Sequence, residues 1–178
     1  MTRGNNRRPI FNAPADYEKF LSLLAVQKRK LPFFLYAYCL MPNHVHLLIE
    51  SSKQPLAKFM QGLQQSYSQY FNLRHRKSGH VFQGRYKAIV CDKDEYLWQL
   101  IRYIHLNPVR AGMVKEPGHY SYSGHRAYLE GKASEMIDPR KVLGLMGGKG
   151  RYLAFVRDGM KDGHREEYYE VEDQRFLG

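Results

Sequence analysis

Two histidines one residue apart, His44 and His46, begin the apolar segment "HVHLLIE" at residues 44–50. Alternate side chains of a strand project from the same face, so both imidazoles would point one way and Val45 the other. Two neighbouring imidazoles can chelate a divalent metal ion. Paired histidines near a strand end are also often only hydrogen-bonded or exposed. The pair alone therefore leaves a metal site and a structural role both open.

A second polar group lies on one face of a helix predicted over residues 92–107. Tyr103 and Asn107 are four residues apart, and Gln99 lies one turn earlier. A tyrosine beside an amide oxygen, placed next to two histidines, would supply a nucleophile and a third metal ligand. A free tyrosine has a pKa of about 10 and would need a metal or a general base nearby. The alternative is that Tyr103 is an ordinary residue at the boundary of an amphipathic helix. His105 faces elsewhere and is interpreted as structural.

The charge distribution points to a polyanionic partner. The net charge is +11, and residues 131–178 contain nine Lys or Arg and nine Asp or Glu, so the whole excess falls in residues 1–130. A basic region in a chain with 14 tyrosines suits a nucleic acid, whose bases can stack on aromatic rings. Basic side chains of this kind grip phosphates without reading sequence, although each could equally be part of a solvated surface. The candidate phosphate contacts are Arg3, Arg7, Arg8, Arg74, Arg76, Lys77, Arg85 and Lys87.

Hydrophobic periodicity predicts the elements that must position these residues. In chain order it indicates helix, strand, strand, helix, strand and helix, over residues 13–31, 32–40, 44–50, 55–72, 84–91 and 92–107. Asp92 and Glu95 have the spacing of a capping box at the start of the last helix, and Pro108 should end it. This order predicts an α+β fold with helices on one face of a mainly antiparallel sheet. A ferredoxin-like arrangement needs one more strand before the first helix, and residues 1–12 are barely long enough for it.

The end of the chain differs in composition from the rest. Residues 142–146 and 152–156 have short helical patterns, which "GGKG" separates. The sequence therefore predicts a core at residues 1–130 and a small C-terminal helical appendage at residues 131–178.

Composition also predicts the compartment. No apolar run approaches the roughly 18 residues of a membrane span, and the N-terminal "MTRGNNRRPIF" is basic and polar, unlike a signal peptide. Cys39 and Cys91 lack metal-type spacing, which is typical of a reducing compartment. We therefore expect a cytoplasmic protein that has no membrane partner.

Three motifs in order resemble one known family. "MPNHVHLLIE", "SGHVFQGRYKA" and "YLWQLIRYIHLNPVRAGMV" are similar to the REP-associated tyrosine transposases, in the IS200-like, single-tyrosine branch of the HUH endonucleases. The resemblance covers roughly residues 3–130. It implies a ferredoxin-like (RRM-like), five-stranded antiparallel core whose N-terminal strand would be truncated in this chain. It also implies Tyr103 as nucleophile and His44, His46 and Asn107 as ligands of Mg²⁺ or Mn²⁺.

The resemblance further implies an activity and partners. The expected reaction is cleavage and strand transfer of single-stranded DNA through a 5′-phosphotyrosine bond. The expected substrates are hairpins such as palindromic repeats, and the protein would be a monomer or a homodimer associated with the bacterial nucleoid.

Three other functions remain open on sequence grounds. A non-catalytic nucleic-acid-binding module could use the same sheet. A relaxase or replication initiator shares the chemistry, although such proteins are typically longer. A zinc hydrolase could use His44 and His46, although no carboxylate close in sequence offers itself as a general base.

Overall fold

A three-stranded antiparallel sheet forms the centre of the protein, whose computed structural model describes residues 1–51, 55–90 and 94–161. Its strands are Thr2–Arg3 (β1), Phe33–Met41 (β2) and His44–Ser51 (β3), in the order β1-β3-β2. The turn between β2 and β3 is tight, so Met41 lies opposite His44, and the register holds back to Ala37 opposite Leu48. A bulge between Leu35 and Ala37 then shifts it by one residue. The predicted antiparallel α+β fold is confirmed.

The N-terminal strand is present although it is only two residues long. β1 pairs with β3, with Thr2 opposite Val45 and Arg3 opposite His44. On the other side of β1, Gly4 bridges to Phe82. Residues 82–87, β1, β3 and β2 therefore follow the neighbour order of a ferredoxin-like sheet.

The strand predicted at residues 84–91 does not form a regular ladder in residues 84–90, and residue 91 lies outside the described part of the chain. Backbone hydrogen bonds join this stretch to the N-terminal chain at two places. Gln83 N donates to Arg3 O, and Lys87 N donates to Met1 O while the Lys87 carbonyl accepts from the N-terminal amine. A two-residue strand offers too few partners for a longer ladder. The described residues thus have three strands instead of five, with single bridges at Phe82 and Ser123 beyond the two edges.

Helices cover both faces of the sheet. Helices Pro14–Lys30 (α1) and Leu56–His75 (α2) pack together on one face, where the Phe33 and Phe59 ring centroids are 4.6 Å apart. Helix Asp94–Arg110 (α3) crosses β2 on the opposite face, which carries His46. The prediction that helices share one face thus holds for α1 and α2 and differs for α3. No helix in the described ranges is long and apolar enough to cross a membrane.

Helix α3 continues through Pro108, so the predicted end at this proline is wrong. Pro108 lies in the last turn and removes only one intrahelical hydrogen bond. Ala111 N still donates to Asn107 O. Gly112, with φ of +67°, then ends the helix, and Met113 N beyond it donates back to Pro108 O. The helix therefore includes Arg110. Asp92 of the predicted capping box lies outside the described residues.

The other α-helices of the described residues are His125–Glu130 (α4), Arg140–Leu145 (α5) and Lys149–Lys161 (α6). Helices α5 and α6 agree with the two short patterns expected in the tail, and α4 was not predicted. Helix α6 packs against α3. The Tyr152 hydroxyl lies 2.7 Å from Nδ1 of His105 and 2.6 Å from Nδ1 of His125. His105 is fully buried, in agreement with its structural interpretation. The division at residue 130 stays a prediction.

Removing the Tyr152 hydroxyl should destabilise the protein. In Tyr152→Phe, two buried imidazole nitrogens lose their shared partner, so we expect the free energy of unfolding to fall by about 1–3 kcal/mol. Urea denaturation measures this change. Tyr122→Phe is the control, because Tyr122 is half-buried and its contact with Tyr17 is made by the stacked ring, which phenylalanine retains. Equal stability of Tyr152→Phe and wild type would contradict the prediction.

Candidate active site

The two histidines lie side by side at the start of β3. His44 and His46 share a face of the strand, and their ring centroids are 4.9 Å apart with an interplanar angle of 83°. His46 is buried and His44 is half-buried. The shared face predicted from their spacing is confirmed.

Asn43 orients the first imidazole, a role that the sequence reasoning missed. Nδ1 of His44 lies 2.6 Å from Oδ1 of Asn43, while the amide nitrogen of Asn43 donates to the Arg7 carbonyl at 3.1 Å. Because Oδ1 can only accept, the His44 proton is on Nδ1, and Nε2 has the lone pair for a metal. The signal in the sequence was the amide residue directly before the first histidine.

Burial holds both imidazoles in the neutral form. Desolvation, followed by the charges of Arg3 and the N-terminal amino group, lowers the pKa of His44 to about 4. The pKa of His46 is lowered well below its usual value, mainly by desolvation. A neutral imidazole can coordinate a metal without first losing a proton. The pair is therefore ready to act as ligands at neutral pH.

Tyr103 of α3 lies against this pair. Its ring is half-buried, and its centroid is 5.6 Å from that of His46 at an interplanar angle of 86°. One turn later, the Asn107 amide nitrogen donates to the Tyr103 carbonyl oxygen at 3.0 Å. Oδ1 is then the Asn107 side-chain atom suited to metal coordination. Gln99, on the same face, accepts a hydrogen bond from Arg102 at 2.6 Å.

Arg110 is a second residue that the sequence reasoning missed. Its guanidinium carbon lies 5.3 Å from the centroid of the Tyr103 ring. The helix expected to end at Pro108 did not include this arginine. Its position seven residues after Tyr103, two helical turns on the same face, was the signal available.

The donor set fits a divalent ion that accepts mixed ligands. Within the described ranges, no group of three or more His, Cys, Asp and Glu side chains is placed to hold a metal. Structural and catalytic zinc sites use three or four such ligands. An ion on His44 and His46 would therefore take further oxygens from an amide, water or phosphate, which suits Mn²⁺ or Mg²⁺.

The candidate phosphate contacts are distributed unevenly around the site. Arg3 is half-buried and lies opposite His44 in the sheet. None of the other seven candidates takes part in the contacts described above for His44, His46 and Tyr103. All seven have exposed side chains, namely Arg7, Arg8, Arg74, Arg76, Lys77, Arg85 and Lys87.

Arg74 has a structural partner. Its Nε lies 3.5 Å from the carboxylate of Asp16, which is fully buried at the start of α1. Burial alone would raise the pKa of Asp16, but hydrogen bonds from Asn12, His75 and Ala13 hold it below its usual range. A buried anion at this position ties the end of α2 to the start of α1, and Arg74 supports that contact.

An NMR titration should find His44 with a pKa of about 4 in the metal-free protein. The unfolded chain has an ordinary histidine pKa of about 6.5, so this group favours folding above pH 6.5 and loses that contribution as the pH falls to 4. The Cε1–H resonance reports the midpoint, and His44→Gln assigns it. A midpoint close to 6.5 would contradict the burial argument.

Comparison with known proteins places the chain in a family. The model described as "Transposase IS200 like" matches residues 1–107. A search of curated proteins finds no match. The fold is similar to that of a solved REP-associated tyrosine transposase bound to a REP hairpin, with a TM-score of 0.57 and 19% identity over 76% of this chain and 79% of that one. The protein thus has the fold of that transposase, and it belongs to the IS200-like transposase family.

Proposed function

We propose that the protein is a metal-dependent endonuclease and strand-transferase that cleaves single-stranded hairpin DNA through a 5′-phosphotyrosine intermediate. The observation that carries the proposal is the position of the Tyr103 ring, 5.6 Å from the ring of His46. Membership of a family of tyrosine transposases supports the reaction class. A phenol, two neutral imidazoles and an amide oxygen are the groups that this chemistry needs.

His44, His46 and Asn107 are the residues proposed to hold Mg²⁺ or Mn²⁺. When bound, the ion supplies charge stabilisation at the oxygens of the scissile phosphate. Asn43 supports it by keeping the proton of His44 on Nδ1. Desolvation of both histidines keeps their lone pairs available.

Tyr103 performs the covalent step in this proposal. Its phenolic oxygen attacks phosphorus, the bond from phosphorus to the 3′ oxygen breaks, and the 5′ phosphate stays on the tyrosine. Over the whole step, the phenol loses one proton and the departing 3′ oxygen gains one, so a 3′-hydroxyl is released. The phosphodiester is exchanged and not hydrolysed, so a 3′-hydroxyl can reverse the step and join two strands without ATP.

Hairpin DNA is the proposed substrate class. The similar solved transposase is bound to a REP hairpin. In this chain the net charge of +11 provides the long-range attraction for such a ligand, and exposed Arg7 and Arg8 lie four and five residues after β1 ends. The Asn43 amide nitrogen donates to the Arg7 carbonyl, so the backbone of Arg7 lies beside the residue that orients His44.

Incubation with a labelled hairpin carrying single-stranded arms, in the presence of Mn²⁺, should give a covalent protein–DNA band. Tyr103→Phe should abolish the band, because phenylalanine retains the ring without the nucleophile. His46→Ala should reduce it at least about 100-fold, because one metal ligand is lost. Denaturing gel electrophoresis measures the adduct.

Tyr122→Phe is the matched control for the adduct and should leave its yield unchanged. If wild type binds the hairpins and forms no adduct with any of them, the protein is a non-catalytic nucleic-acid-binding module. That outcome would overturn the proposed reaction.

Binding should depend on salt through the exposed basic residues of the N-terminal segment. Arg8→Gln removes one phosphate contact, so the slope of log affinity against log salt concentration should fall by about 0.7 for single-stranded DNA. Fluorescence anisotropy over a series of salt concentrations measures the slope. Lys149→Gln, an exposed change on α6, is the control. An unchanged slope in Arg8→Gln would remove Arg8 from the interface.

A further inference from the structure

Arg110 has an unusual environment for an arginine. Its side chain is half-buried, and its Nε is buried with no hydrogen-bond partner among the described residues. A buried donor of a charged group that bonds to nothing costs free energy, and such groups in native proteins usually have a partner. The exception suggests that a ligand supplies the missing acceptor.

Arg102 shows that stacking alone does not leave an arginine in this state. It lies on the same helix, and its guanidinium carbon is 4.2 Å from the Phe155 ring centroid. Its guanidinium group also donates to Oε1 of Gln99 at 2.6 Å and to the Phe155 carbonyl oxygen at 3.4 Å. Both arginines stack on a ring, but Arg102 has oxygen acceptors from the protein.

The position of Arg110 identifies the chemistry of the missing acceptor. Tyr103 has the ring of His46 at 5.6 Å and the guanidinium carbon of Arg110 at 5.3 Å. Any phosphate joined to the Tyr103 oxygen carries its negative charge on non-bridging oxygens close to that ring. A guanidinium offers donors in a fork that matches two such oxygens.

We propose that Arg110 binds the non-bridging oxygens of the DNA phosphate that Tyr103 attacks and keeps the 5′-phosphotyrosine in place for strand transfer. The proposal rests on the proposed function, which supplies the phosphate. The phosphate would then have two positive contacts on different elements. The metal ion would be held by His44 and His46 on β3, and the guanidinium of Arg110 would come from α3. Tyr103 and Arg110 are seven residues apart on α3, which is two helical turns, so one face of the helix presents both the nucleophile and this contact.

The first test measures binding without cleavage. In the Tyr103→Phe background, each phosphate of the hairpin's single-stranded arms is replaced in turn by a neutral methylphosphonate, and affinity is measured in EDTA. When Arg110 is present, the methylphosphonate should weaken binding about tenfold at one position or at two adjacent ones, because the substitution removes a charged hydrogen bond. The effect should vanish in the Tyr103→Phe/Arg110→Met double variant.

The second test measures the rate of adduct formation at saturating DNA. Arg110→Met should slow the reaction about 100-fold, as expected for loss of a donor to the reacting phosphate. Arg110→Lys should recover part of the rate, because lysine retains the charge and loses the fork. Arg102→Met is the matched control and should react like wild type, with melting curves confirming that each variant is folded.

The outcomes separate the two proposals. If wild type gives no adduct but one phosphate is coupled to Arg110 in the binding scan, the proposed reaction fails and the phosphate contact stands. If the scan gives the same profile for the Tyr103→Phe variant and for the double variant that also carries Arg110→Met, the contact is overturned whatever the adduct assay gives. An adduct rate unchanged by Arg110→Met would also overturn it.

Discussion

The candidate site depends on how closely α3 can approach the sheet. On the face of β2 that α3 crosses, the side chains opposite Leu48 and His46 are Ala37 and Cys39, and both are fully buried. Small side chains at a contact allow a helix to approach the strands. Larger residues at these two positions would move α3 outward and separate Tyr103 from His46. The chemistry of the site therefore rests on the packing of two residues that take no part in it.

The same packing sets the electrostatics of the site. Excluding water lowers the pKa of both histidines, and the nearby positive charge of Arg3 acts in the same direction. A basic region would ordinarily disfavour a bound cation, because like charges repel. Neutral imidazoles reduce that competition, because they contribute lone pairs and no further positive charge. The candidate site thus combines a positive surrounding charge with two neutral imidazoles that could serve as the proposed metal ligands.

Sequence patterns predicted the features that depend on local spacing, and they missed those that depend on tertiary contacts. The shared face of His44 and His46 follows from strand alternation, and helix α1 follows from its apolar period. The path of residues 84–90 depends on the length of β1, which no local pattern reports. Continuation of α3 past Pro108 depends on hydrogen bonds beyond it, so Arg110 was overlooked. The predicted roles of the individual site residues await the experiments above.

The contact of Tyr152 with two imidazoles has a practical consequence for shortened forms of the protein. The family match ends at residue 107, and every proposed metal ligand and the nucleophile fall within it. A fragment cut at that boundary would nevertheless lack Tyr152 and His125, and it would expose His105 two residues from Tyr103. Such a fragment could retain the whole motif and still be inactive, so its failure would say nothing about the motif itself.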